Sequence, residues 1–130
     1  MTNTARLVLG IALLLGGAIS CGDDNEADRM GIAANCTKDA DCQKVGNVQL
    51  TCLTMFKGGY CGLQGCVQDG DCPTGAACIA EGGANYCFRE CLDKPECNLH
   101  RTVDAEANCV ASVVHVGAST AKVCVPPSGT

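Results

Sequence analysis

The sequence predicts a small disulfide-rich fold, mostly irregular with short β-hairpins. It reads as tandem cysteine-stapled modules with little helix outside an N-terminal signal peptide. Three observations predict this. Thirteen cysteines occur in 130 residues, the density of a disulfide scaffold in a short exported chain. Twelve of them fall into three groups of four with repeated spacing. Aromatic content is 3% with no Trp, limited to Phe56, Tyr60, Tyr86 and Phe88. Large aliphatic residues are scattered thinly between the cysteines, so the composition argues against a single conventional core. Small modules bury too little surface to offset the entropy of ordering their chains. Each cross-link compensates by about 2–4 kcal/mol through restriction of the unfolded chain.

Residues 1–6 carry one positive charge, Arg6, and residues 7–19 are a run of 13 apolar or small residues. A membrane-spanning helix needs about 20 such residues, whereas a shorter run fits the middle of a secretory signal peptide. Small residues follow at Gly16, Gly17, Ala18 and Ser20, and then Cys21. Residues 1–20 are therefore assigned to the signal peptide. Loss of Arg6 with it takes the net charge from −5 to −6. A negative chain without a basic cluster does not suit nucleic acid or anionic lipid headgroups.

Ala18-Ile19-Ser20-Cys21 resembles a bacterial lipobox. That resemblance implies cleavage before Cys21 and diacylglyceryl modification of its thiol. Ile19 and Ser20 fit the pattern, and Ala18 stands where Leu is usual. The same three residues also suit ordinary signal peptidase, which would give a soluble secreted protein. Parity favours the lipoprotein, because an odd cysteine in an exported chain needs a separate fate. Residues 22–35 hold four acids and one Arg with few large apolar groups, and read as a hydrated, flexible tether. In enteric lipoproteins Asp directly after the lipidated Cys favours inner-membrane retention. Gly22 in that place implies the outer membrane.

The remaining cysteines form three tetrads: Cys36, Cys42, Cys52, Cys61; Cys66, Cys72, Cys78, Cys87; and Cys91, Cys97, Cys109, Cys124. In every tetrad five residues separate the first two cysteines. In the first two tetrads eight residues separate the last two. Asp39-Ala40-Asp41 matches Asp69-Gly70-Asp71, and Gly58-Gly59-Tyr60 matches Gly82-Gly83 with Tyr86. Such self-similarity marks repeated supersecondary units. The chain divides into a signal peptide (1–20), a lipidated cysteine and acidic tether (21–35), repeat 1 (36–61), repeat 2 (62–87), and a divergent repeat 3 with a C-terminal hairpin (88–130). A grouping that starts at Cys42, Cys72 and Cys97 has similar spacing but strands Cys36.

Residues 76–80 and 86–88 around the Gly82-Gly83 turn predict a hairpin. Its register sets Cys78 opposite Cys87, which allows a direct bond without requiring one. Residues 109–116 and 121–125 predict a second hairpin with its turn at 117–120. That register sets Cys124 opposite Val113, so Cys109 and Cys124 are expected to reach back to Cys91 or Cys97. Pairing stays open, since four cysteines permit three arrangements per tetrad.

The segments CTKDADC and CVQDGDCPTGAAC resemble cysteine-rich lipoproteins of myxobacteria and related groups. They are also similar to the Dickkopf N-terminal cysteine-rich domain and, more distantly, to whey acidic protein modules, over about residues 36–97. The Dickkopf resemblance implies an extracellular binding role. The adjacent Cys-Cys pair of whey acidic protein modules is missing, so their protease inhibition does not carry over.

Other chemistry finds little support in the residues. Zinc sites use close pairs such as C-x₂₋₄-C, and no C-x-x-C occurs; that spacing also serves thiol oxidoreductases and haem attachment. Asp39, Asp41, Asp69 and Asp71 offer oxygen ligands to calcium, but calcium wants six to eight oxygens, and turn capping is the simpler role. His100 and His115 are the only histidines. Ser112 and Ser119 are available as nucleophiles, but neither sits in a nucleophile elbow. The expected function is a lipid-anchored, non-catalytic binding or structural module without cofactor or metal. Its expected partner is an envelope or extracellular protein or a glycan. A disulfide-stapled protease inhibitor, with loops 43–51 or 98–108 exposed, is the alternative.

Overall fold

Each tetrad of cysteines folds into the same unit, a short helical turn stapled onto two adjacent strands. The structure, a computed structural model, describes Ala27, residues 31–45 and residues 48–129. The signal peptide and Cys21 lie outside the described residues.

In the first unit a 3₁₀ turn, Asp39–Asp41, separates Cys36 from Cys42. A small hairpin of β1 (Lys44–Val45) and β2 (Val48–Gln49) follows. Then β3 (Thr51–Cys52) pairs antiparallel with β4 (Cys61–Gln64), placing Cys52 opposite Cys61. The second unit repeats this with the turn Asp69–Asp71 and the hairpin of β5 (Ala76–Glu81) and β6 (Ala84–Arg89), where Cys78 faces Cys87. Gly82 and Gly83 have φ of 57° and 88°, the positive angles a two-residue hairpin turn demands. In the third unit the turn is a short α-helix, α1 (Lys94–Cys97), and Cys109 faces Cys124 across β7 (Asn108–Val110) and its partner strand Val123–Val125. Between these two strands lies β8 (Val114–His115), so Val123–Val125 is β9.

The bonds are Cys36–Cys52, Cys42–Cys61, Cys66–Cys78, Cys72–Cys87, Cys91–Cys109 and Cys97–Cys124. In every unit the first cysteine takes the third and the second takes the fourth. Cys78 and Cys87 face each other but bond elsewhere, which ties the turn to both strands.

The repeated Asp-x-Asp locks the turns of the first two units. The second Asp accepts amides from the turn's entrance: Asp41 Oδ2 from Thr37 (2.8 Å) and Lys38 (3.2 Å), and Asp71 Oδ2 from Val67 (2.8 Å) and Gln68 (3.2 Å). The first Asp reaches the strand, where Asp39 accepts from Cys52 N at 2.8 Å and Asp69 from Cys78 N at 3.0 Å. The carboxylates offered as calcium ligands thus serve backbone amides. In the third unit Glu96 takes the entrance role, accepting from Leu92 N at 2.8 Å. Lys94 stands where the strand-reaching Asp would be, and pairs with Glu106 at 2.6 Å instead.

The units merge. One five-stranded antiparallel sheet, in the order β3-β4-β6-β5-β8, draws strands from all three. This corrects the expected C-terminal hairpin. Residues 114–115 pair with β5, Ile79 opposite His115, and only residues 108–110 pair with β9. Residues 114–115 instead satisfy the open edge of β5 with two register pairs, Ile79 with His115 and Ala80 with Val114. Cys124 faces Cys109 rather than the expected Val113, yet Cys109 and Cys124 still reach back, to Cys91 and Cys97 respectively.

The core is likewise continuous, contrary to the expectation from composition. One cluster runs from Ile32 to Cys124, with Leu50, Leu53, Tyr60, Ile79, Phe88 and Val123 fully buried among half-cystines. All four aromatic side chains meet in it. Phe56 lies edge-on to Tyr60, Tyr86 and Phe88 with ring centroids 5.3–6.1 Å apart. The buried Tyr60 hydroxyl donates to Cys124 O (3.2 Å) and accepts from Arg89 N (3.1 Å), joining three units through one atom. Burial raises its pKa well above the ordinary phenol value.

The N-terminal flank needs a further correction. Ala27, Ile32 and Ala33 are buried, and residues 33–34 pair with Cys61 through Ala33 N to Cys61 O and Cys61 N to Ala34 O. The expected tether is therefore partly built into the fold, because small side chains let this backbone lie close against the first unit.

Asp69 also clamps unit to unit. Its Oδ2 accepts from Ser119 N at 2.9 Å, and Gly117 packs so closely on the carboxylate that a Cβ there would collide with it. The amides of Cys78 and Ser119, then that of Ala118 and the nearby His115, hold the Asp69 carboxyl below its ordinary value, outweighing desolvation.

Phe88→Ala should cost about 3–5 kcal/mol in denaturant unfolding of the oxidised protein, as one transition, since the core is shared. Asp69 binds its proton more weakly when folded than unfolded. Its stabilisation is therefore complete above the ordinary value near 3.8 and lost as pH falls through the lower folded value. Hydrogen exchange at Ser119 N should accelerate over that acid range, relative to core amides, and Asp69→Asn should remove this pH dependence.

Candidate binding cleft

Where the first unit meets the third, the surface opens into a shallow, open cleft of about 360 Å³ lined by Asn35, Cys36, Thr37, Asp41, Gly58, Thr102 and Asp104. One wall is the entrance to the first helical turn and the other is the loop after α1.

That loop is fixed by half-buried side chains behind it. Arg101 donates from Nε to Ala105 O (2.7 Å), from Nη1 to Ala33 O and Gly59 O, and from Nη2 to Lys57 O (each 2.9 Å). Its guanidinium also lies 5.8 Å from the centre of the Tyr60 ring, within cation–π range. Asn98 donates to Ala107 O at 2.9 Å and accepts from Ala107 N at 2.8 Å, closing the base of the loop. Asn35 bridges the walls, accepting from Thr102 N and donating to Gly58 O, each at 2.9 Å. Val103 crowns the loop at the head of a 3₁₀ turn, Val103–Ala105, and is 88% exposed.

Two carboxylates face this cleft. The backbone and hydroxyl of Thr37 hold Asp41 below the ordinary carboxyl value. The Thr102 hydroxyl and its own amide do the same for Asp104, with Lys57 adding charge. Both are ionised at neutral pH. With two threonine hydroxyls and an amide alongside, the lining is rich in acceptors and suits hydrogen-bond donors such as sugar hydroxyls or basic side chains. Its one sulfur, that of Cys36, is bonded to Cys52.

The other singled-out residues lie elsewhere. In each unit the two bonds stack, so that three sulfurs lie within 4.8 Å of one another (Cys36, Cys42, Cys52 in the first); as disulfides they offer no thiolate. His100 is exposed and Ser112 is exposed. His115 is half-buried in β8, and Ser119 Oγ donates to Glu90 Oε1 at 2.9 Å rather than to an imidazole. The sequence reading passed over Arg101, Asn35, Asn98, Thr102 and Asp104. One signal was present: Arg89 and Arg101 are the only arginines beyond residue 35, and a guanidinium carries five donors in a fixed fork that can meet several carbonyls at once.

Compared with family models, curated proteins and solved structures, the chain matches none. The six disulfides place it with exported proteins, since such bonds persist in oxidising compartments. Among the described residues no helix is long and apolar enough to cross a membrane.

Arg101→Met keeps the length of the side chain and removes four hydrogen bonds to carbonyls. Exchange of the amides of residues 99–105 should rise at least tenfold, while amides in β5 and β6 keep their protection.

Proposed function

We propose that this chain is an exported, lipid-anchored protein that acts as a non-catalytic binding or structural module at the cell envelope. The observation that carries this reading is the closure of the disulfide set. All twelve cysteines from Cys36 to Cys124 pair within their own units, and Cys21 is the one cysteine of thirteen left over. It follows a lipobox-like segment, where a free thiol is the substrate for acylation. The resemblance to cysteine-rich myxobacterial lipoproteins agrees with this, and Gly22 favours the outer membrane. The cleft and the braced loop above it supply the surface for a protein or glycan partner. Rigid loops lose little entropy on binding, and no nucleophile is activated along the lining.

Intact mass of membrane-extracted protein, alkylated without reduction, should give a chain that starts at Cys21 with added acyl groups and no alkylated thiol. An unacylated chain would remove the anchor, and alkylated thiols would remove the closed disulfide set. Asp104→Lys, which reverses charge in the cleft, should weaken capture of the envelope partner at least tenfold without lowering stability. Equal capture would exclude the cleft.

A second reading, a protease inhibitor, is favoured by the exposure of Val103 on a braced loop. It requires inhibition of a secreted protease that Val103→Asp abolishes.

A further inference from the structure

We infer that the folded module is held within about 20 Å of the bilayer, with the turn at residues 73–75 on the lipid-facing side, because Ala27, the sixth residue after the anchor, is docked on the fold. The inference rests on lipidation of Cys21. Ala27 is 0% exposed, its amide donates to Thr74 O at 2.8 Å, and its carbonyl accepts from Ile32 N at 3.1 Å. The chain continues through buried Ile32 and Ala33 into the pairing with Cys61. Only five residues separate Cys21 from the docked Ala27.

Six peptide steps span at most about 20 Å. A folded unit of this size is about 34 Å across, from a radius of gyration near 13 Å. The strap is too short to pass around the module, so the Thr74 side must face or border the bilayer. A net charge of −6 after loss of Arg6 gives no attraction to anionic headgroups. Proximity is imposed by the strap and not by adhesion.

The test places a ten-residue Gly-Ser insert in the full lipidated chain at either of two positions. One lies between Gly22 and Asp23, before the docking point, and the other between Arg29 and Met30, after it. Neutron reflectometry on supported phosphatidylethanolamine/phosphatidylglycerol bilayers reads the height of the protein layer. The first insert should raise the layer by about 10 Å, and the second should leave it at the native height. If both inserts raise it equally, Ala27 is not the docking point and the inference is overturned. If intact mass shows no acyl group and the bilayer retains no protein, the underlying reading fails instead, by a separate readout.

Discussion

Residues opposite each other on adjacent antiparallel strands carry their side chains on the same face, close together. Each unit places two half-cystines in such a pair: Cys52 with Cys61, Cys78 with Cys87, Cys109 with Cys124. A direct bond between them would only reinforce a hairpin that the ladder already holds. Each instead takes a partner from the helical turn, whose two cysteines are separated by five residues. The turn is thereby fixed to both strands, and in the first two units the Asp-x-Asp carboxylates fasten its backbone where the sulfurs fasten its ends. The remaining geometry follows from that arrangement, because it leaves every strand pair with open edges and one apolar face.

Those open edges explain why the units do not hang separately. β4 takes up β6, and β5 takes up β8, so the sheet grows across unit boundaries. The few aromatics are then sufficient, since Phe56 and Tyr60 from one unit and Tyr86 and Phe88 from the next share one cluster. Polar groups close the circuit from the third unit: Arg101 and Asn98 brace its loop, and Asn35 receives it. The cleft exists only where two units meet.

Local rules made much of this legible. Gly-Gly between alternating residues fixed the second hairpin, the spacing of the cysteines fixed the units, and the Asp residues read correctly as turn caps. Non-local competition hid the rest. Residues 109–116 looked like one strand because SVVHV has strand propensity, but nothing local reveals that β5 has a free edge for 114–115. Ile32 and Ala33 sit in an acidic, Ala-rich stretch whose average composition resembles a spacer, and their burial depends on non-local backbone pairing of Ala33 and Ala34 with Cys61. Counting Leu and Ile underestimated the core because half-cystines fill it. The cleft was invisible, since Thr102 and Asp104 carry no motif and meet the first unit only through Asn35.

The pairing rule also bears on how the chain matures. No bond crosses from one tetrad to another, and the sequence separations run only from 12 to 27 residues. A chain emerging N-terminus first presents each set of four thiols complete before the next set arrives, and within a set only three arrangements compete. Oxidation can therefore keep pace with translocation, while the sheet must wait for β8 and the core for Val123 and Cys124.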